Sequence, residues 1–578
     1  MRTENLMPRS LYKILKMKKN ITYFKLLLIL PLLLPLHLAA QTIPVGMPVL
    51  ESAYRRAQLL GKINPHVSFT SRPLFPSQAF GIKNIFYPDS LLAPSHVHNK
   101  KSLPFPASLH FAKGNGNVQL LPVIWQNQYN SIHPAGYNDG AMVPAKGYQS
   151  LLSAGVYVRY KFISIQFAPQ WLYVENKPFP TFYQIYHKST PPENIDLPER
   201  FGDSTFQKIN WGNSSIRFTY GPVSLGLSNE NMWWGPGIHN SLLMTNNAPG
   251  FMHLTLNTVK PIRTPIGSFE GQLIGGKLEP SGYTKGQPGD WVYLNALTGT
   301  WQPKWVPGLF LGFVRSFMIY HKDMGPKVYD YLPVFGSLLK AAVGNKATDA
   351  RRQDQLISVF MRWLWVKAKG EVYVEFGRED HAWNLRDLIL EPNHSAAWII
   401  GVNKLFSLPG RKGEYLQINA EVTNLASNST TNNRDRGNNF FGTGTWYTHS
   451  DVRQGYTNRG QVLGAGIGPG SNSQWVKVAW VKGLRSIGLE FERYVHNNDY
   501  FVSKIKDARR NWVDLTFGVS GNWQWDHWLL NVQAQYIHEL NYEWVYRPAY
   551  IFNYQPTYWS PTKDTYNIHA RMAIIYRF

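Results

Sequence analysis

The last thirteen residues, Tyr566–Phe578, constrain this chain more than any other stretch. Every even position is apolar: Tyr566, Ile568, Ala570, Met572, Ile574, Tyr576 and Phe578. Asn567, His569, Arg571 and Arg577 hold odd positions and are polar, while Ala573 and Ile575 interrupt that set. Successive side chains of a strand point to opposite faces. One face therefore meets an apolar medium and the other a wet one. A final strand ending on an aromatic residue fits a closed barrel of the bacterial outer membrane, where lipid-facing and lumen-facing residues alternate.

The same two-residue period recurs upstream. Val372, Val374 and Phe376 alternate with Glu371, Tyr373 and Glu375. Leu416, Ile418, Ala420 and Val422 alternate with Gln417, Asn419 and Glu421. Ile487, Leu489 and Phe491 alternate with Gly488, Glu490 and Glu492, and Val532, Ala534 and Tyr536 with Asn531, Gln533 and Gln535. Many segments run about ten residues, the length a tilted strand needs to cross a bilayer. A soluble sandwich alternates too, but its apolar face needs a cover, and no covering helices are evident. Past the amino-terminal region no run of about eighteen apolar residues exists, which argues against membrane helices. Tight turns at Gly221-Pro222, Ala368–Gly370 and Gln524–His527 stand against long connections at Glu175–Asn210, Tyr320–Asp354 and Thr423–Gln474. Short turns at one end and long loops at the other are expected of such barrels. The fold class is therefore all-β, a transmembrane antiparallel β-barrel over 111–578. Roughly 25–30 residues per strand and loop give ~16–18 strands, and eighteen is the expectation.

Residues 1–40 read as a cleaved signal peptide: Lys16, Lys18, Lys19 and Lys25 precede the apolar Leu26–Leu38, and Ala39-Ala40 precede Gln41. Met1, Met7 and Met17 are alternative starts. Residues 41–110 form a small periplasmic cap or plug with one short helix, VLESAYRRAQLL at 49–60, whose Leu50, Ala53, Ala57 and Leu60 share a face and whose end is marked by Gly61. The chain has no cysteine, so it has neither disulfides nor a lipid anchor on an amino-terminal cysteine. Its 21 Trp and 32 Tyr suit interfacial girdles. From residue 41 there are 52 basic and 35 acidic residues, a net +17. Net charge speaks about partners. For an exported protein these are anionic lipopolysaccharide or an acidic surface polysaccharide rather than nucleic acid. The alternative is basic loops that simply pair with phosphates of outer-membrane lipid.

Three segments carry a resemblance: Asn127–Gly147 (NQYNSIHPAGYNDGAMVPAKG), Asn231–Gly250 (NMWWGPGIHNSLLMTNNAPG, continuing to Gly275-Gly276) and Tyr456–Gly470 (YTNRGQVLGAGIGPG). Together with YRRAQLLG and the later SRPL of Leu50–Leu74, they resemble the capsule assembly protein family typified by Wzi, over about Ser52 to Gln474. The resemblance implies an outer-membrane barrel of eighteen strands with a helical cap on the periplasmic side. It also implies a lectin-like, non-enzymatic role in anchoring capsular polysaccharide on the cell. No cofactor is implied. The carboxy-terminal strand ending at Phe578 is the expected signal for the barrel-assembly machinery.

Candidate glycan-binding residues are Trp446, Tyr447, Arg453, Tyr456 and Arg459 in the long loop, with Trp233 and Trp234 of WWGPG. Sugar C–H faces stack on aromatic rings, and Arg434, Arg436, Arg453 and Arg459 suit uronate carboxylates. The competing reading folds these aromatics onto the loop itself or into the girdle, and makes WWGPG a corner at a strand end. Parity places Glu371, Glu375, Glu421, Glu490 and Glu492, with Arg159 and Arg362, in the lumen. Paired carboxylates can hydrolyse glycosides, but lumen acids facing arginines more often act as polar filler. No nucleophile-elbow, zinc-protease or dinucleotide motif is present, and the isolated pair His96 and His98 suggests no metal. The competing function is a porin or polysaccharide-export channel, and a third is an outer-membrane enzyme acting on lipid A or glycan.

Overall fold

The computed structural model describes residues 41–92, 108–186, 195–282, 289–336, 352–379, 384–428, 445–548 and 562–578. The expected signal segment, His96, His98, Arg434 and Arg436 lie outside the described residues. Among the described residues, eighteen antiparallel strands close into one barrel. In chain order β1 is Gly116–Asn130 and β2 Gly147–Tyr160. β3 is interrupted, as Ile163–Phe167 and Gln170–Val174, and so is β4, as Phe206–Asn210 and Ser215–Tyr220. β5 is Val223–Ser228, β6 His253–Thr258 with Ile262–Thr264, and β7 Gly267–Leu278. β8 is Val292–Pro303, β9 Leu309–Tyr320, β10 Asp354–Trp365 and β11 Gly370–Glu379. β12 is Ala396–Ser407, β13 Glu414–Asn424, β14 Asn472–Lys482 and β15 Arg485–Val495. β16 is Val513–Trp525, β17 Trp528–Leu540 and β18 Thr565–Tyr576.

β18 pairs with β1 from His569 opposite Asn130 to Tyr576 opposite Val123, which closes the cylinder. Closure matters because an open edge in lipid would leave amides without partners. Outward positions carry a belt of exposed apolar side chains, among them Phe167, Phe218, Leu256, Phe313, Ile400, Leu489 and Val519. Trp125, Tyr129, Tyr148 and Trp171 stand toward the long-loop end, and Trp305, Trp365, Trp525 and Trp528 toward the short-turn end, as two girdles. Inward positions of the alternating strands are the expected polar set: Glu371, Glu375, Glu421, Glu490, Glu492, Asn567 and His569 are all buried.

The amino-terminal segment sits inside the bore at the short-turn end. Helix α1, Leu50–Leu59, matches the expected helix to within a residue at each end. Its expected apolar stripe is buried at Leu50, Ala53 and Ala57, but Arg55, Arg56 and Gln58 on the remaining faces are buried too, because the barrel wall surrounds it. The wall grips the plug through charge. Glu371 of β11 accepts from Arg55 Nε and from Arg362 Nε, each at 2.7 Å. Arg362 also donates to Ser68 O at 2.7 Å and Gln58 Oε1 at 2.8 Å. Buried ions this well paired tolerate burial, and losing one partner strands the other.

The plug also accounts for the broken alternation of the last strand. Ile575, with Leu529, Leu121 and Ile124 of the neighbouring wall, packs into one apolar cluster with Ile85 and Phe86 of the plug. Ala573 is buried on the same face. At the chain end Arg577 donates to Phe86 O and Asp89, and Tyr87 donates back to Arg577 O at 2.9 Å.

Candidate functional site

The bore above the plug is not uniform. Along β7–β12 the inward residues include a contiguous apolar set, Ile274, Leu278, Leu294, Val314, Met318, Leu356 and Ile399. They form one core with loop residues Trp234, Leu242, Leu243, Trp446, Tyr447, Tyr456 and Leu463. The three segments that carried the family resemblance interlock here. Asn247 Nδ2 donates to Val462 O at 3.0 Å and Asn247 Oδ1 accepts from Asn138 N at 3.2 Å. Thr245 N donates to Leu463 O at 2.7 Å. Trp233–Trp234 pairs with Ser71–Arg72 as a two-stranded sheet, so WWGPG is bolted to the SRPL of the plug. Gly235 follows at φ 122°, a conformation glycine tolerates.

Along β14–β18 the inward residues stay polar, and there a cavity of about 510 Å³ remains. Its floor is Gly46, Glu51 and Arg72 of the plug, and its inner side is Gly136–Asn138 and His239. Tyr137 Oη lies 2.7 Å from both Glu492 oxygens and 2.5 Å from His239 Nε2, which is itself 3.0 Å from Glu492. The His239 ring stacks on Trp475 at 4.5 Å. Burial pushes the imidazole down, but the Glu492 carboxylate outweighs it and holds the pKa above the ordinary histidine value. Opposite, Arg571 pairs with Asp139 at 2.8 Å.

The cavity mouth at the long-loop end is aromatic. Trp512 stacks on His496 at 3.7 Å and meets Tyr542 and Trp544 edge-on, each at 5.1 Å. Trp512 and Tyr542 are half-buried and line the cavity. Burial, with Glu199, Asp514 and Glu539 nearby, pushes Glu543 up to about 8, so a protonated carboxyl stands at the mouth at neutral pH. Tyr542 in turn stacks on His133 at 3.8 Å, and half-buried rings beside carboxyl, amide and guanidinium groups suit a sugar's apolar C–H patches and hydroxyls.

The sequence-expected site residues fall elsewhere, for the most part. Trp446 is 1% exposed and Tyr447, Tyr456 and Trp234 are 0% exposed, so their rings cannot take a ligand from the surface. The alternative reading, aromatics folded inward, describes them. Trp446 Nε1 donates to Ser395 O at 2.9 Å, and its ring fills the space that a side chain at Gly377 would need. Tyr447 Oη donates to Leu242 O at 2.6 Å and accepts from Ala465 N at 2.8 Å. Trp234 Nε1 donates to Gln272 at 2.9 Å. Trp233 is buried but borders the cavity, with Arg72 over its ring at 4.5 Å. Arg453 is exposed, and Arg459 is turned to the barrel wall at Asn210.

The lumen acids are each engaged by hydrogen bonds from loops, plug or wall. Glu421 accepts from the backbone N–H of Ile238, His239 and Asn240 and from Tyr373 Oη. Glu375 accepts from Ser358 Oγ at 2.8 Å and from Ser241 and Leu242 N. Glu490 accepts from Gln535 at 2.9 Å and lies 3.6 Å from Lys477. Arg362 belongs to this set. Arg159 does not: it stands opposite Asn117 near the short turns, half-exposed and without a polar partner among the described residues. Parity gives the direction of a side chain but not what lies opposite it. Trp512 and Tyr542 were missed. Both flank strand ends on the long-loop side, where sequence alone reads them as girdle residues.

The chain matches the capsule assembly protein Wzi family over residues 134–541. Among solved structures it is similar to Wzi of Escherichia coli, described as an outer-membrane protein involved in group 1 capsule assembly and a carbohydrate-binding β-barrel. The TM-score is 0.57 at 12% identity, covering 93% of this chain and 100% of that one. OccAB2 of Acinetobacter baumannii aligns with a TM-score of 0.39 at 10% identity over 80% of this chain and 97% of that chain. OccK8 (OprE) of Pseudomonas aeruginosa aligns at 0.36 and 8% identity over 81% and 99%. No curated protein matches the chain.

Proposed function

The chain belongs to the capsule assembly protein Wzi family, and on that footing we propose that it holds capsular or related surface polysaccharide at the outer membrane, as a lectin rather than an enzyme. The observation that carries this reading is a pocketed but stoppered bore. Residues 41–92 fill the short-turn end, which faces the periplasm, and the 510 Å³ cavity lies on the long-loop side of them. A porin of this strand number keeps an aqueous channel, whereas an anchor needs only a mouth. Trp512, Tyr542 and Tyr494 bring half-buried aromatic rings to the cavity, and Arg571, His239 and Glu543 bring polar groups. Trp233 and Arg453 stay with this reading only as flanking contacts.

Deleting the gene is expected to release surface polysaccharide into the medium without stopping its synthesis, measured as cell-bound against soluble polymer. Unchanged cell-bound polymer would sink the anchor role. Purified protein in a planar bilayer is expected to show no steady conductance; a stable open current would restore the channel reading.

A further inference from the structure

The barrel wall has a gap. β5 and the first part of β6 stop at Ser228 and His253, while β4 begins higher, at Phe206–Asn210, and β7 runs on to Leu278. Phe206–Asn210 pairs with Gln170–Val174 on one side and with no strand among the described residues on the other. Across the gap the edge of β7 is held by loop atoms: Lys277 N donates to Met252 O at 2.9 Å and Glu279 N to Asn458 Oδ1 at 3.0 Å. A bare edge is not stable in lipid, and part of the cover comes from inside. Thr457–Asn458 and Gln461–Val462 form a small hairpin. Its turn residues Arg459 and Gly460 have φ of 54° and 79°, as a tight hairpin turn demands. Arg459 spans the gap, its N donating to Glu279 O at 2.8 Å and its Nη1 to Asn210 Oδ1 at 3.0 Å.

What remains is a cavity of about 450 Å³ with an apolar back, Leu172 and Phe206, and three cations, Arg200, Lys208 and Arg459, against Glu279. Glu279 already lies 3.0 Å from Lys277. Register puts Lys208 opposite the buried Leu172, so it points inward, and it has no acidic partner among the described residues. Arg200 donates from Nη1 to Leu197 O at 2.7 Å, while its Nε and Nη2 are buried without partners among the described residues. Burial holds both Arg200, at about 10, and Arg459 below the ordinary guanidinium value. Asp196 and Glu199 act on Arg200, and Glu279 acts on Lys208 and Arg459, but none of these carboxylates closes an ion pair with the three cations among the described residues, which together suit an anion. Beside the opening, on the outer face, Ile209 is 78% and Trp171 43% exposed. The cavity therefore sits in the wall gap, beside the apolar belt.

We propose that this lateral window binds the phosphate of an outer-leaflet lipid headgroup, with the acyl part lying along Ile209 and Trp171. The inference rests on the membrane placement of the preceding reading and not on glycan binding. The test titrates full-length protein in non-ionic detergent with fluorescent bis-phosphorylated lipid A and with its dephosphorylated form. The double variant Lys208→Gln, Arg459→Gln is expected to bind the phosphorylated lipid at least tenfold more weakly than the parent, and both proteins to bind the dephosphorylated lipid equally poorly. Equal affinity of parent and variant for the phosphorylated lipid would overturn the proposal. So would displacement of that lipid from the parent by equimolar inorganic phosphate or oligogalacturonate, which would make the ligand a free anion or an acidic glycan. Heat-modifiable gel migration checks folding. If the double variant fails it, Lys208→Gln alone, at an exposed position, is expected to weaken binding about threefold, and no change would count against the site. Polysaccharide binding by the parent in the same detergent reports separately on the anchor role.

Discussion

The two sides of the bore differ although one sheet makes both. On the β7–β12 side the inner face carries an apolar set beside the buried Arg362, Glu371 and Glu375, and three loops fold in to cover it. On the β14–β18 side the inner face keeps Lys477, Glu490, Glu492, Gln533, Gln535 and Arg571, and a wet cavity is left. The lesson is that alternation alone does not tell a filled side from a wet one, since β11 alternates and is still covered at Glu371, Tyr373 and Glu375, whereas a strand apolar on both faces marks where protein must fill the lumen. β9 shows it: Phe310, Val314 and Met318 point in and are buried, while Leu311 and Phe313 point out and are exposed.

The largest way to break this contrast is at the base of both sides. Arg362→Ala leaves Glu371 short of its main partner in a buried site and is expected to destabilise the protein by about 3–5 kcal/mol, read as a lowered guanidinium midpoint in detergent. On the filled side, Trp446→Phe loses the bond to Ser395 O and part of the ring that rests on Gly377. A loss of about 1–2 kcal/mol is expected with polysaccharide affinity within twofold of the parent. On the wet side the signature should invert. Trp512→Ala with Tyr542→Ala is expected to weaken polysaccharide binding about tenfold, or about 1.4 kcal/mol, in a binding assay, with the lost stacks on His496 and His133 read separately as a lower denaturation midpoint. If the filled-side variant abolished binding while the wet-side pair kept it, the assignment of the two sides would be reversed.

The smallest effect concerns His239. Its folded pKa is raised, so its contribution to stability is fully present below the unfolded value of about 6.5 and fades as pH rises through the folded value. His239→Gln is expected to flatten that dependence, a difference of about 1 kcal/mol between acid and alkaline buffer, followed by denaturation midpoints across pH.

Much of the architecture was legible before any coordinates. The strands around Glu371, Glu421, Glu490 and Asn567 alternate because one face meets lipid, and their inward acids are where parity puts them. Helix 49–60 was legible from its spacing and Gly61. The ligand surface was not. Trp446 and Trp512 look alike in sequence, each an aromatic in a polar loop, yet one is sealed between Gly377 and Leu242 and the other borders a cavity. That difference depends on which loop enters the bore, which is decided by wall residues hundreds of positions away. Arg459 was singled out for its charge, and its place in a wall gap follows from the shortness of β5 and β6, a property of other strands.

The latch between Arg577 and the Phe86–Asp89 stretch joins the plug to the strand that closes the barrel. Until β18 is in place, Ile85 and Phe86 lack their Ile575 neighbour and Asp89 lacks its cation. A barrel lacking β18 would therefore be unclosed on its seam and would hold its plug by the Glu371 and Arg362 contacts without the Arg577 one. Closing the wall and seating the plug are thus one event at this seam, because the same strand supplies the partner for both.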